Sequence, residues 1–244
     1  MPEYLDRPGL PRLAHHHRPG RGPTIVFLPG YGSDMSGAKA AALDQWAAAS
    51  GQAMLRFDYR GCGDSAGVFG EATLDDWRDD ALDAIDALAA GPIVPIGSSM
   101  GGWLMLLLAL ERAERVQGLV GIAAAPDFTE WGFDDIMRET IENDGLLVRD
   151  SPYAPEPQVT THDFWRSGQA NLLLGGEIAI DCPVRLLHGL DDADVPPSIA
   201  FRLGRALRSA DVQTVLVKGG DHRLSRPQDL SLLQSTVSAL VQIP

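Results

Sequence analysis

The sequence predicts an α/β fold, a mostly parallel, doubly wound sheet with helices on both faces. Three observations carry this. Short β-rich runs alternate with helical patterns along most of the chain. The runs are almost continuously apolar, as strands covered on both faces require. One run, Ile93–Ile96, ends in Gly97-Ser98-Ser99-Met100-Gly101, a glycine-flanked serine that opens an apolar helix. Strand–turn–helix is the junction such a sheet is built from.

The elements follow in order. Leu5–His17 predicts a leading antiparallel hairpin. The strand runs are then Thr24–Leu28, Ala53–Tyr59, Ile93–Ile96, Val116–Ala123, Val184–His188 and Val212–Val217. The helical patterns are Ala38–Ser50, Leu74–Ala90, Met100–Glu114, Ile199–Ser209 and Arg226–Val241. Thr73 stands three residues before Asp76, a capping-box variant. Ser225 stands three before Gln228, with Pro227 in the first turn. After Thr73, apolar residues at Leu74, Trp77, Ala81, Ile85 and Leu88 form one stripe at helical spacing.

The alternation breaks once. About 58 residues separate Ala125 from Val184, far longer than an ordinary connection. Residues 127–178, approximately, are therefore expected to form a lid insert within a single domain spanning 1–244. Helices are expected near Trp131–Asn143 and His162–Leu174, on either side of the Pro-rich Ser151–Pro157. The insert holds Phe128, Trp131, Phe133, Tyr153, Phe164 and Trp165, six of the chain's 16 aromatics and more than its share of the length. Trp131, Phe133, Phe164 and Trp165 are candidates for lining an apolar substrate pocket. Plain packing of the insert onto the body explains the same rings equally well.

Composition narrows the function. Among 244 residues, 20 basic side chains face 33 acidic ones, a formal net charge of −13. That balance argues against nucleic-acid and anionic-membrane partners, which call for basic patches. The longest apolar run, Trp103–Leu110, has eight residues, short of the ~20 that span a bilayer. Met1–Gly9 has no apolar core of a secretory signal. The two cysteines, Cys62 and Cys182, form no disulfide framework or metal-ligand spacing. A cytoplasmic address is expected.

Two G-x-S-x-G pentapeptides compete for the chemistry. The 97–101 copy follows a strand directly and opens a helix. The other, Gly63-Asp64-Ser65-Ala66-Gly67, lies beyond its strand with no helix start until about Thr73. Ser99 is thus the candidate nucleophile, and Ser65 reads as a loop residue. A serine hydroxyl needs a base, and the base an orienting acid. In this fold class the chain order is serine, acid, histidine. Of the downstream histidines, His162 lies in the insert and His188 reads as a buried strand residue. His222, in Gly219-Gly220-Asp221-His222, follows the last strand and is the candidate base. His15, His16 and His17 alternate across a strand, so they do not converge on a metal. The acid comes from Gly189-Leu190-Asp191-Asp192-Ala193-Asp194-Val195-Pro196. Spacing favours Asp192, with Asp191 and Asp194 as rivals and Asp127 as a more distant alternative. The oxyanion donors expected are the backbone N–H groups of Met100 and Tyr31, the latter in Pro29-Gly30-Tyr31-Gly32.

With those residues in place, the chain resembles the α/β-hydrolase family over nearly its whole length. Phe27-Leu28-Pro29-Gly30-Tyr31, Arg56-Phe57-Asp58-Tyr59, Gly97 to Met105, Arg185-Leu186-Leu187-His188-Gly189 and Asp221-His222-Arg223 resemble its palmitoyl-protein thioesterase and acyl-glucuronide esterase branch. The resemblance implies an α/β-hydrolase fold and hydrolysis of thioesters or activated esters by Ser99, Asp192 and His222, without metal or organic cofactor. The implied substrate is an acyl ester or thioester, on a small molecule or an acylated protein. The mitochondrial address of that branch is not expected here, because no Arg-rich, acid-poor transit segment is seen. A silent scaffold, an acyltransferase and a C–C bond hydrolase on the same triad stay open as alternatives.

Overall fold

Strand β5, Ile93–Ser98, is buried at every position and pairs in parallel on both sides. Around it the computed structural model, which describes residues 1–150 and 157–242, forms an eight-stranded sheet. The strands are β1 (Glu3–Arg7), β2 (Leu10–Arg18), β3 (Arg21–Leu28), β4 (Gln52–Phe57), β5, β6 (Leu119–Ile122), β9 (Val184–Gly189) and β10 (Val212–Val217). Their order is β1-β2-β4-β3-β5-β6-β9-β10. The β1–β2 hairpin adds antiparallel to β4, and every other pair is parallel. The expected leading hairpin, six strands and five body helices are all present, with ends shifted by a few residues.

The helices of the body are α1 (Ala38–Ser50), α2 (Leu74–Leu88), α3 (Met100–Glu111), α7 (Pro197–Ala206) and α8 (Pro227–Val241), and the insert between β6 and β9 adds its own. Alternate strand side chains go to opposite faces, so each face makes its own core. Ile25, Phe27, Met54, Val94 and Ile96 pack with Ala40, Leu43 and Ala47 of α1 and Leu233, Val237 and Leu240 of α8. Val26, Leu28, Leu55 and Phe57 pack with Leu74, Trp77, Trp103 and Leu104 of α2 and α3. Helix α3 is buried from Met100 to Ala109, which is why its sequence shows no polar stripe.

The Thr73–Asp76 capping box forms as expected: Asp76 N–H donates to Thr73 Oγ1 at 3.1 Å and Thr73 N–H to Asp76 Oδ2 at 2.9 Å. The Ser225–Gln228 box does not form. Helix α8 starts one residue later, where Arg226 N–H donates to Asp229 Oδ2 at 3.1 Å. Ser225 instead donates its hydroxyl to Arg223 O.

The insert contains α4 (Phe128–Trp131), α5 (Asp135–Asp144), an antiparallel ribbon of β7 (Leu146–Arg149) and β8 (Gln158–Thr161), and α6 (His162–Ala170). The single helix expected over Trp131–Asn143 is broken. Gly132 N–H closes α4 on Phe128 O, and the Asp134 side chain caps α5 by accepting Met137 N–H at 2.8 Å. The second expected helix stops at Ala170: Asn171 N–H closes on Gly168 O, and Asp127 takes Leu173 N–H at 2.8 Å and Leu174 N–H at 2.7 Å. The ribbon was not anticipated. Of the Pro-rich stretch, 151–156 with Tyr153 lies outside the described residues.

The insert is fastened to the body by polar contacts. Ser167 donates its hydroxyl to Asp75 Oδ2 at 2.6 Å, and Asn171 donates to Asp75 Oδ1 at 3.0 Å. Trp103 Nε1–H donates to Asn171 O at 3.1 Å.

Candidate active site

Ser99 joins β5 to α3 with φ 55° and ψ −121°. Left-handed φ in a non-glycine residue stores of order 1–3 kcal/mol and persists only where the surroundings impose it. They do so here. Ser99 N–H donates to Ile122 O at 2.9 Å, while Ser99 O accepts Gly102 N–H at 2.8 Å and Ala125 N–H at 3.0 Å. The glycines are required by close approach: a Cβ on Gly97 would lie 2.2 Å from Gly101 O, and one on Gly101 would lie 2.1 Å from Leu28 O. A larger residue at either position would push the turn open.

Three loops at the carboxyl ends of the strands meet at this turn. His222 comes from the loop after β10, and its Nε2 lies 3.1 Å from Ser99 Oγ. Its Nδ1 lies 3.0 Å from Asp192 Oδ2, on the loop after β9. These two loops hold each other, with Asp191 N–H donating to Gly220 O at 2.9 Å. Lys39 Nζ on α1 donates to Arg223 O at 2.6 Å, beside the histidine. The sequence offered no signal for that contact.

The acid loop separates its three aspartates. Asp191 and Asp194 are exposed, whereas the Asp192 side chain is 0% exposed. A buried carboxylate must be fully hydrogen-bonded. Asp192 Oδ1 accepts Asp194 N–H at 3.0 Å and Val195 N–H at 2.9 Å. Oδ2 faces two imidazoles, His222 at 3.0 Å and His188 at 3.3 Å. Burial alone would raise this carboxyl. Hydrogen bonds from His188, His222 and Val195 outweigh it and hold the group well below the usual carboxylate range. Asp127 is occupied elsewhere, anchoring Leu173 and Leu174.

Gly30, in the loop after β3, passes against the serine: a Cβ there would lie 3.3 Å from Ser99 Cβ. Tyr31 follows it. The Tyr31 ring packs rather than opening a pocket, with centroids 5.0 Å from Phe164, 5.1 Å from Phe69 and 5.6 Å from Trp77. Burial pushes its phenol upward. Met100 begins α3, where backbone N–H groups have no helical partner.

The other motif serine is structural. Ser65 Oγ accepts Ala14 N–H at 2.8 Å and donates to Asp58 O at 2.6 Å, tying its loop to β2 and to the residue that follows β4. Burial raises the thiols, Cys62 to about 12 and Cys182 to about 11, so neither is a thiolate at neutral pH. Ligand atoms of Asp192, Asp194 and His222 lie within 4.8 Å of one another. The Asp192 oxygens already accept the His222 ring and two backbone N–H groups.

Of the four insert aromatics, Phe164 and Phe133 are core side chains, 1% and 3% exposed. Phe164 packs against the rings of Tyr31, Trp77 and Phe128, and Phe133 against the Phe128 ring and the Arg149 guanidinium. Trp131 and Trp165 are half-buried, with indole N–H groups donating to Pro126 O at 2.8 Å and Thr129 O at 3.1 Å.

Residues 25–231 match the Alpha/beta hydrolase family. The chain belongs to this family. One α/β-hydrolase relative, named palmitoyl-protein thioesterase ABHD10, mitochondrial, from Homo sapiens, is 39% identical over 242 residues, 98% of this chain and 79% of the relative. The solved structure of alpha/beta hydrolase domain-containing protein 10 from mouse superposes with a TM-score of 0.92 at 37% identity, covering 99% of this chain and 98% of that one. A putative hydrolase from Agrobacterium vitis S4 gives 0.93 at 37% identity, with 99% of both chains covered. The expected cytoplasmic address is corrected by this comparison, since the human α/β-hydrolase relative is named mitochondrial. No helix among the described residues is long and apolar enough to cross a membrane.

Proposed function

We propose that this α/β hydrolase is a serine hydrolase of acyl thioesters and esters, working through an acyl-enzyme on Ser99. The observation that carries the reading is the continuous hydrogen-bond chain Ser99 Oγ–His222–Asp192, at 3.1 and 3.0 Å, ending in a buried carboxylate. The thioesterase name of the human relative supports the bond class.

Ser99 Oγ attacks the acyl carbonyl as its proton passes to His222 Nε2. Asp192 fixes the ring with Nδ1 protonated and faces the imidazolium that forms. The carbonyl oxygen becomes an oxyanion, held by the backbone N–H groups of Met100 and Tyr31. Collapse breaks the C–S or C–O bond, and His222 returns the proton to the departing thiol or alcohol. Water then attacks the acyl-serine, losing a proton to His222, which returns it to the departing Ser99 Oγ as the carboxylic acid is released. Residues of the insert, Trp131 and Trp165 foremost, form the lid that contacts the acyl chain. Phe133 and Phe164 support them from the core.

Fluorophosphonate labelling with peptide mapping tests the nucleophile, and acyl thioesters, p-nitrophenyl esters and acyl glucuronides test the bond. The expected result is one label on Ser99 and turnover of thioesters. A protein left unlabelled and inert to all three substrate types would be a silent scaffold, and the proposal would fail.

A further inference from the structure

His188 is the side chain that the triad chemistry does not use yet the structure sets against the triad acid. It lies at the end of β9, and its side chain is 1% exposed. Its Nε2 lies 2.9 Å from Val195 O and 3.3 Å from Asp192 Oδ2. Both neighbours are acceptors, so Nε2 carries the hydrogen, which it gives to Val195 O while Asp192 Oδ2 lies close beside it. Asp192 Oδ1 holds two amide N–H groups. The acid therefore accepts three hydrogen bonds, two amides on Oδ1 and His222 on Oδ2, and the His188 N–H lies 3.3 Å from Oδ2 as a further donor in reach.

We infer that His188 is a positioning residue for catalysis, a second donor that fixes Asp192 and limits how much of its charge reaches His222. This rests on the hydrolase reading above. Among the described residues, the titratable groups near Asp192 are His188 on β9, His222 on the loop after β10 and Asp194 on its own loop. Of these, His188 is the one that belongs to a strand and is 1% exposed. Val195, which accepts the same hydrogen, also donates its N–H to Asp192 Oδ1. One buried imidazole thus ties both ends of the acid turn together.

Removing the donor frees Oδ2 to attract the His222 imidazolium more strongly. The acid limb of the kcat/KM profile must then move to higher pH. His188→Phe keeps the ring but loses the hydrogen, whereas His188→Gln keeps an amide donor at similar reach. The Phe variant is expected to lose about tenfold or more in kcat, as for a hydrogen bond to a charged group, with KM little changed and the acid limb displaced upward. The Gln variant should recover most of both. Should the Phe variant not fold, the same comparison is made with His188→Asn, whose amide is too short to reach Asp192. The downfield proton resonance of the His222–Asp192 bond, followed across pH, gives a second reading of the same shift. An unmoved acid limb and resonance in the variants, whatever their thermal stability, would overturn the inference and leave His188 a packing residue. Fluorophosphonate labelling of Ser99 in the unmutated protein separates the two failures, because it reports on the hydrolase reading without reference to His188.

Discussion

The phenol of Tyr31 donates to the carbonyl of Val159, linking the loop after β3 to strand β8 of the insert. The residue whose backbone N–H is proposed to hold the oxyanion is thereby tied to the proposed lid through its own side chain. Tyr31→Phe keeps the ring contacts with Phe69, Trp77 and Phe164 and removes the hydroxyl that reaches β8 at Val159 and Thr160. Leaving the Val159 carbonyl unpaired should cost ~1–3 kcal/mol. Hydrogen exchange should accelerate in β7 and β8 while α1 and α8 keep their protection, and kcat should fall more than KM rises. Uniform loss of protection across the protein would argue against a link specific to the insert.

The two motif serines should separate cleanly. Ser99→Ala removes the proposed nucleophile and should lower kcat by about 10³-fold or more in a folded protein. Ser65→Ala removes the hydroxyl that joins Ala14 N–H to Asp58 O. It should cost ~1 kcal/mol or somewhat more in stability and leave activity per folded molecule within a few-fold. The reverse pattern would overturn the assignment of Ser99.

How far the sequence led can be judged from these serines. Strand runs and the residues flanking Gly97 and Gly101 distinguished them, because a strand-to-helix turn leaves a local imprint: glycine on both sides, apolar residues before and after. A mostly parallel sheet covered on both faces followed from the alternation of strand runs and helical patterns, whereas the order of its strands did not. The insert was less legible. The break at Gly132–Asp134 depends on Asp134 capturing a backbone donor, and the stop at Ala170 is followed by Asp127 capturing Leu173 N–H from 46 residues away. The β7–β8 ribbon is four residues a strand, too short for a period to register, although Val159-Thr160-Thr161 is β-branched throughout. Phe164 and Trp165 read alike in sequence; helix geometry turned one into the core and left the other half-buried. His188 carried a cue, four residues before Asp192 and just ahead of Gly189, but a strand histidine alone does not announce which carboxylate it will meet.

The three aspartates of the acid loop give a sharper contrast. Asp192→Asn keeps shape but offers His222 an amide, favouring the wrong tautomer, so kcat should fall by about 10³–10⁴. Asp191→Asn and Asp194→Asn change exposed side chains and should stay within about tenfold. Steady-state kinetics on the three purified variants decides it, and equal losses in all three would remove the case for a single acid.

The insert aromatics should divide by burial. Phe164→Ala opens a cavity among Tyr31, Trp77 and Phe128 and should cost ~3–5 kcal/mol of stability. Trp131→Ala and Trp165→Ala remove half-buried rings. They should alter the preference between long and short acyl chains, by ~1–3 kcal/mol in kcat/KM, without moving the pH profile. Chain-length preference unchanged in both tryptophan variants would remove the insert from substrate contact.

His15 sets the last prediction, on stability against pH. It lies in β2, 4% exposed, with Nδ1 lacking a hydrogen-bond partner among the described residues. Burial lowers its pKa first of all; Glu3 opposes this, while His17 and His16 add to the lowering. His16 is lowered too, by burial and then by Arg56. Unfolding returns each to the ordinary value of ~6.5, so between that value and the folded one the unfolded chain binds more protons. Stability is then fully present above about pH 6.5 and drains away as pH falls toward the folded pKa. The melting temperature should therefore drop between about pH 7 and pH 5, and His15→Leu, which has no proton to bind, should drop less. Other titrating groups are common to both proteins, so the difference between the two curves isolates His15. Parallel curves would mean that His15 takes up its proton equally well in the folded protein, and the burial argument for it would be wrong.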